Sequence, residues 1–266
     1  MKEKLTIVKI GGAIVEDESA LASLLTNFAA VEGYKLLVHG GGRRATKIAS
    51  ALGLESKMVN GRRITDANML EVVTMVYGGL VNKNIVARLQ SIGVNALGLT
   101  GADMNVILSH KRPPTIQQTE NDRERYVDFG FVGDVDHADG NMLKTVIDKG
   151  ITPVMAPLTH DGHGQLLNTN ADTIAAETAK ALAPLYDVTL IYSFEKPGVL
   201  ANPDDDSSLI KTITRDDFAR YVSDGTISGG MIPKIENALK AVEAGVSRVI
   251  ITLATAIDGK HGTVIK

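Results

Sequence analysis

Two apolar runs that end in glycine constrain this chain more than anything else in it. Leu5 to Gly12 reads LTIVKIGG, in which Leu5, Ile7, Val8 and Ile10 are broken only by Lys9 before Gly11-Gly12. Lys35 to Val38 is the second run, ending in His39-Gly40-Gly41-Gly42. β-Branched apolar residues closing on glycine read as a buried strand that opens into a tight loop. Glycine there allows positive φ and lets a ligand reach backbone N–H groups. A helix follows the second run, with Ala45, Ile48, Ala49 and Leu52 expected on one face and Gly53 behind it. Strand, glycine run and helix start together aim N–H groups at an anion. Two such tips in neighbouring βαβ units of a parallel sheet face one crevice. Lys9 alone reads equally as a ligand-facing lysine or as a surface lysine before an ordinary turn.

The 266 residues suit one large α/β unit or two lobes. A formal charge of −3 leaves no basic footprint, so nucleic acid is not an expected partner. With no cysteine, disulfides and zinc-thiolate sites are excluded, and a cytoplasmic setting is compatible. Too few apolar residues precede Lys9 for a signal peptide, and no run approaches the ~20 needed to span a bilayer.

Between the glycine runs, Glu16-Asp17-Glu18-Ser19 marks a helix start, Leu21, Leu24, Leu25 and Phe28 recur at helical spacing, and Gly33 stops the helix. Asn60-Gly61 is a hairpin turn, followed by Arg62-Arg63 and by Thr65 or Asp66 as a helix cap. An arginine beside such a turn suits bidentate carboxylate binding, although a solvated arginine is the simpler reading of this stretch. Ala96 to Leu99 and Thr152 to Ala156 read as strands, and Phe131 to Val135 as a short one. The polar run Lys111 to Asp128 reads as a ribbon or loop and is assigned no chemistry. His160-Asp161-Gly162-His163-Gly164 has a metal-like spacing, but its glycines make it a hairpin loop, and no metal site is expected.

Asn168-Thr169-Asn170-Ala171-Asp172-Thr173 leads into a small-residue helix. Asp172 fits a plain N-terminal cap. Asn168 and Asn170 at alternate positions would point the same way on a strand, offering paired donors to a ligand carboxylate. Asp204-Asp205-Asp206 reads as solvated surface. Further on, Gly225 to Lys234 brings a glycine loop into a helix with Pro233 and Lys234 near its first turn. A lysine carries the wrong charge for that end, so a bound polyphosphate or Asp172 must offset it, unless it swings into solvent. Arg248 to Thr252 and Thr263 to Ile265 read as closing strands.

VKIGG (8–12), VHGGG (38–42), NGRRIT (60–65), EVVTMVYGGLVNK (71–83), NTNADT (168–173), PGVL (197–200) and ISGGMIPK (227–234) occur in this order. In these pieces the chain resembles the amino-acid kinase family, and within it the branch that phosphorylates N-acetylglutamate. Related branches acting on aspartate, carbamate, UMP or free glutamate carry different text where this chain has NTNADT. The resemblance implies an α/β fold: a three-layer αβα sandwich around a mainly parallel eight-stranded sheet, in two lobes. Residues 1–170 would hold the N-acylglutamate and the dimer interface, and residues 171–266 would hold ATP.

The implied reaction moves the γ-phosphoryl of ATP, with Mg²⁺, onto the side-chain carboxylate of N-acetyl-L-glutamate, a step of arginine and ornithine synthesis. By resemblance, Lys9 and Lys234 stabilise the transition state and Asp172 orients both. Gly41, Gly42, Arg63, Asn168 and Asn170 would bind the acceptor, and Gly11 and Gly12 the moving phosphoryl group. Glu195, Pro197, Gly198, Val199 and Leu200, with Thr226, Ser228, Gly229, Gly230 and Met231, would lie against the nucleotide.

The chain departs from the family pattern at Arg43-Arg44, where a proline is common, at Glu195-Lys196, and in a short segment between Thr252 and Gly262. The arginines motivate an alternative acceptor, N-succinyl-L-glutamate, unless both face solvent. A non-catalytic nucleotide sensor would be expected to lose a lysine or the aspartate, and all three are kept. The early first strand leaves no room for the N-terminal helix of arginine-inhibited hexameric relatives, so a cytoplasmic homodimer without arginine feedback is the expectation.

Overall fold

The computed structural model describes residues 2–118 and 124–266. Its centre is one sheet built from β1 (Lys4–Ile10), β2 (Tyr34–His39), β3 (Ala96–Leu99), β4 (Thr152–Met155), β5 (Asp187–Phe194), β6 (Thr212–Ile213), β7 (Arg248–Leu253) and β8 (Thr263–Ile265). The order across this 8-stranded sheet is β6-β8-β7-β5-β1-β2-β4-β3. Neighbours from β3 through β7 run parallel, whereas β8 lies antiparallel to β7 and parallel to β6. The chain travels outward from β1 through β2 and returns to lay β5 on the other flank of β1. Ligands of open α/β sheets bind at such a reversal, beyond the carboxyl ends of the strands.

Strand alternation divides the core. Leu5 and Ile7 of β1, Leu36 and Val38 of β2 and Leu190 and Tyr192 of β5 face the helices Ala171–Leu182 and Met231–Glu243. Val8, Ile10, Leu37 and Ile191 face the other way, onto the helices Glu18–Ala29, Gly42–Ala51 and Asn82–Ser91. Lys9 therefore shares the face of Leu5 and Ile7, and His39 shares that of Leu37. The two positions come under different helices.

Local signals explain most boundaries. Asp17 caps the helix Glu18–Ala29 through the N–H groups of Ser19 and Ala20, and a separate short helix, Gly12–Glu16, follows the first glycine pair. Asn60 (φ 48°) and Gly61 (φ 72°) make the turn of a two-residue hairpin joining Met58–Val59 to Arg62–Arg63. Asp66 caps the next helix, which passes through a π-helical stretch, Thr74–Val81, containing Gly78 and Gly79. The polar run forms a hairpin of Thr115–Gln118 with Glu124–Val127, and its residues 119–123 lie outside the described residues. Leu158–His160 and Leu166–Asn168 pair antiparallel around the 160–164 loop, as the glycines required.

Two expectations need correcting. Leu52 is exposed because the helix ends at Ala51, leaving it one position past the buried face. The strand expected from Phe131 begins instead at Gly133, since Phe131 N–H is taken by Thr65 O.

Candidate active site

Lys9 is one residue from the end of β1, in register with Val38 on one side and Tyr192 on the other. The helix Ala171–Leu182 covers that face of the sheet, and its second residue is Asp172. Lys9 Nζ lies 2.7 Å from Asp172 Oδ1, and Lys234 Nζ lies 3.9 Å from Asp172 Oδ2. The three side chains are only 11%, 20% and 13% exposed for Lys9, Asp172 and Lys234. Burial pushes the Asp172 carboxyl up, but the charges of Lys9 and Lys234 outweigh this and hold it below the usual carboxylate range. Burial pulls Lys234 down; Asp172 opposes the shift and Lys9 adds to it.

Asp172 is not the helix cap. Asn170 is, accepting from the N–H groups of Asp172 and Thr173, which leaves the Asp172 carboxylate for the two lysines. Lys234 does not swing into solvent either. Its ammonium stands 4.8 Å from the Phe194 ring centroid and 6.0 Å from that of Tyr192, within cation–π range. Strand alternation puts both rings on the Lys9 face. Their contribution went unseen because the sequence shows only two aromatics at alternate strand positions.

The cleft beside this triad has a volume of about 440 Å³. Gly41, Gly42, Arg63, Asn168, Asn170, Asp172, Gly230 and Lys234 all line it. Lys9, Gly11 and Gly12 are not part of this lining. The two glycine tips abut as expected: a Cβ added to Gly40 would meet Gly12 N at 3.3 Å, and one added to Gly41 would meet the Tyr77 ring at 2.8 Å.

Arg63 is buried, so a solvated arginine is ruled out. Its Nη2 donates to Gly42 O (2.9 Å) and Thr46 Oγ1 (2.8 Å), and Nη1 donates to Ser56 Oγ (2.8 Å). With both arms committed, Arg63 presents a fixed charge rather than an idle bidentate fork. Asn168 donates one amide hydrogen to Thr65 Oγ1, and Asn170 gives its carbonyl oxygen, not its amide hydrogens, to the helix cap.

Glu195, Pro197, Gly198, Val199, Leu200, Thr226, Ser228, Gly229 and Met231 do not line the cleft. Val199 and Leu200 are buried, and Val199 N–H donates to Thr263 Oγ1. Arg43 and Arg44 are exposed and also stand outside it; Arg43 pairs with Glu195 at 3.6 Å. Sequence reasoning missed Arg112, which lies on the cleft wall in the run given no chemistry and is gripped bidentately by Asp134. It also missed Tyr77, whose only signal is its place before Gly78-Gly79.

The model of the amino acid kinase family matches residues 4–253. The chain belongs to this family. Two relatives, each named acetylglutamate kinase, are 65% identical to it over 266 residues, covering 100% of both chains: one from Bacteroides thetaiotaomicron and one from Phocaeicola vulgatus. Among solved structures, that of smu.665 from Streptococcus mutans UA159 superposes with a TM-score of 0.78 at 29% identity, covering 98% of each chain. The mainly parallel sheet and the strand–glycine–helix tips are thus those of an amino acid kinase. Among the described residues no helix is long and apolar enough to cross a membrane.

Proposed function

We propose that the cleft binds N-acetyl-L-glutamate and that the protein transfers the γ-phosphoryl group of ATP to its side-chain carboxylate, giving an acyl phosphate. The observation that carries this reading is the convergence of two buried ammonium groups on Asp172 at one end of the cleft. The relatives named acetylglutamate kinase supply the acceptor. N-succinylglutamate loses its motivation, because neither Arg43 nor Arg44 lines the cleft.

The acceptor carboxylate, with a pKa near ~4.3, is already ionised at neutral pH and needs no general base. The difficulty is an anion attacking an anion, so the task falls on alignment and fixed positive charge. Lys9 serves the transferring group with the N–H groups of Gly11 and Gly12, and Lys234 serves the leaving oxygens. Asp172 holds two mutually repelling cations in place. Arg63 fixes the α-carboxylate by charge, beside Gly41 and Gly42. Mg²⁺ would arrive on the ATP phosphates as part of the substrate.

Residues 1–170 form the acceptor lobe and residues 171–266 the nucleotide lobe in this reading, with the loops 195–200 and 226–231 near the nucleotide. A cytoplasmic homodimer belongs to the same proposal and rests on the family. The test is ADP release with N-acetylglutamate, N-succinylglutamate, glutamate and aspartate as acceptors, with hydroxylamine trapping of the acyl phosphate. Turnover and hydroxamate with N-acetylglutamate foremost support the reading, and preference for another acid defeats it.

A further inference from the structure

The buried histidine at the end of β2 takes no part in this chemistry, yet it is bonded at both ring nitrogens. His39 is fully buried, with Nδ1 2.8 Å from Gly40 O and Nε2 3.1 Å from Asn82 Nδ2. Asn82 Nδ2 also lies 2.8 Å from Val154 O, which can only accept. That contact fixes the amide orientation, so Asn82 donates to His39 Nε2. The imidazole must then carry its proton on Nδ1 and donate it to Gly40 O. In a planar trans peptide the C=O and the following N–H point in opposite directions. Holding Gly40 O toward the imidazole turns the Gly41 N–H the other way, and Gly41 lines the cleft. Asn82 follows directly on the π-helical stretch Thr74–Val81, whose Tyr77 ring fills the space a side chain on Gly41 would need.

We infer that His39 and Asn82 are positioning residues for the acceptor: a neutral imidazole, locked in one tautomer by the amide, sets the Gly40–Gly41 peptide so that the Gly41 N–H donates to the bound N-acylglutamate. Burial also pulls the imidazole down to about 4, so it stays neutral through the working range. This inference rests on the kinase reading above.

The test compares His39→Leu, His39→Asn and Asn82→Leu with the unaltered enzyme in ADP release. An asparagine at 39 can still donate to Gly40 O, and a leucine cannot. One lost hydrogen bond to a non-reacting part of the acceptor raises its KM by up to about tenfold and leaves kcat and the ATP KM unchanged. His39→Leu is expected to show that split, and His39→Asn to reverse most of it. The imidazole ¹⁵N shifts should report the Nδ1–H tautomer in the unaltered protein and lose it in Asn82→Leu. An unchanged acceptor KM in His39→Leu overturns the inference. So does an equal rise in the ATP KM, or a His39→Asn that behaves as His39→Leu. If the unaltered enzyme does not turn over N-acetylglutamate, the kinase reading has failed instead.

Discussion

Replacing Asp172 by asparagine tests the centre of the site, because the side chain keeps its shape and loses its charge. At an effective dielectric constant of about 20, unit charges at the observed 2.7 Å and 3.9 Å attract by about 6 and about 4 kcal/mol. Desolvation cancels part of this, and removing one partner from a buried ion pair costs roughly 3–5 kcal/mol in practice. In Asp172→Asn two buried ammonium groups are left facing each other. Thermal unfolding should fall by roughly 10 °C for a chain of this size. Losing ~3–4 kcal/mol of aligned charge in the transition state corresponds to a ~10²–10³-fold drop in kcat. Circular dichroism melts and ADP release measure the two effects separately. Adding Lys234→Met to Asp172→Asn should recover part of the stability and none of the activity, since the repulsion goes but Lys9 stays buried without its partner and a catalytic cation is lost. A single variant that keeps kcat within about threefold, a shift too small for a loss of that size, would refute the reasoning.

Lys234→Met alone should lose about 10²–10³-fold in kcat without lowering the melting temperature, because burial already disfavours this charge; a melt that falls as far as that of Asp172→Asn would count against it. The pH–rate profile should be flat between about 6 and 8. Its alkaline limb should come below the ordinary lysine value of ~10.4, set by Lys234, and an acid limb above pH ~5 would contradict an already ionised acceptor. The stability signs differ for the two groups. The depressed Asp172 contributes fully above its unfolded value and is lost as pH falls through its lower folded value. The depressed Lys234 binds fewer protons folded than unfolded between its two values, so stability rises with pH across that window. Gly98→Ala would put a Cβ 1.8 Å from Asn82 Oδ1 and should destabilise the fold by about 1–3 kcal/mol, a loss that should largely vanish in a melt when the same change is made in Asn82→Ala and compared with Asn82→Ala alone.

What the sequence made legible was whatever one residue type decides on its own. Leu5, Ile7, Val8 and Ile10 announce a two-sided buried strand, and glycine ends it. Asn60-Gly61 dictates a turn whatever surrounds it. Lys234 stands out as a cation at a helix start, whereas Lys9 and Asp172 read as ordinary until the family resemblance gives them roles, and the structure brings the three together. Long-range partnerships stayed hidden. Nothing near Arg63 in the chain says that Gly42, Thr46 and Ser56 will occupy its arms. Arg112 sits in a polar run like any surface arginine, and its grip by Asp134 depends on pairing Ile107–Lys111 with Gly133–Ala138. The loops 195–200 and 226–231 read as a ligand wall by motif, yet Val199 and Leu200 spend their apolar surface on the core.

The placement of the triad follows from one parity rule applied across the central strands. Side chains on a strand alternate, so Lys9, Tyr192 and Phe194 must share one face once Lys9 is in register with Tyr192. Only the helices over that face can answer them, and those helices begin with Asp172 and Lys234 near their first turns. Shifting β1 by one residue would send Lys9 to the opposite face, under Gly42–Ala51, and Asp172 would lose its nearer cation. The apolar alternation of Leu5, Ile7, Val8 and Ile10 therefore fixes more than a core: it fixes which helix the reactive lysine meets. For the same reason His39, on the other face, is available to hold the glycine turn without competing for the phosphoryl group.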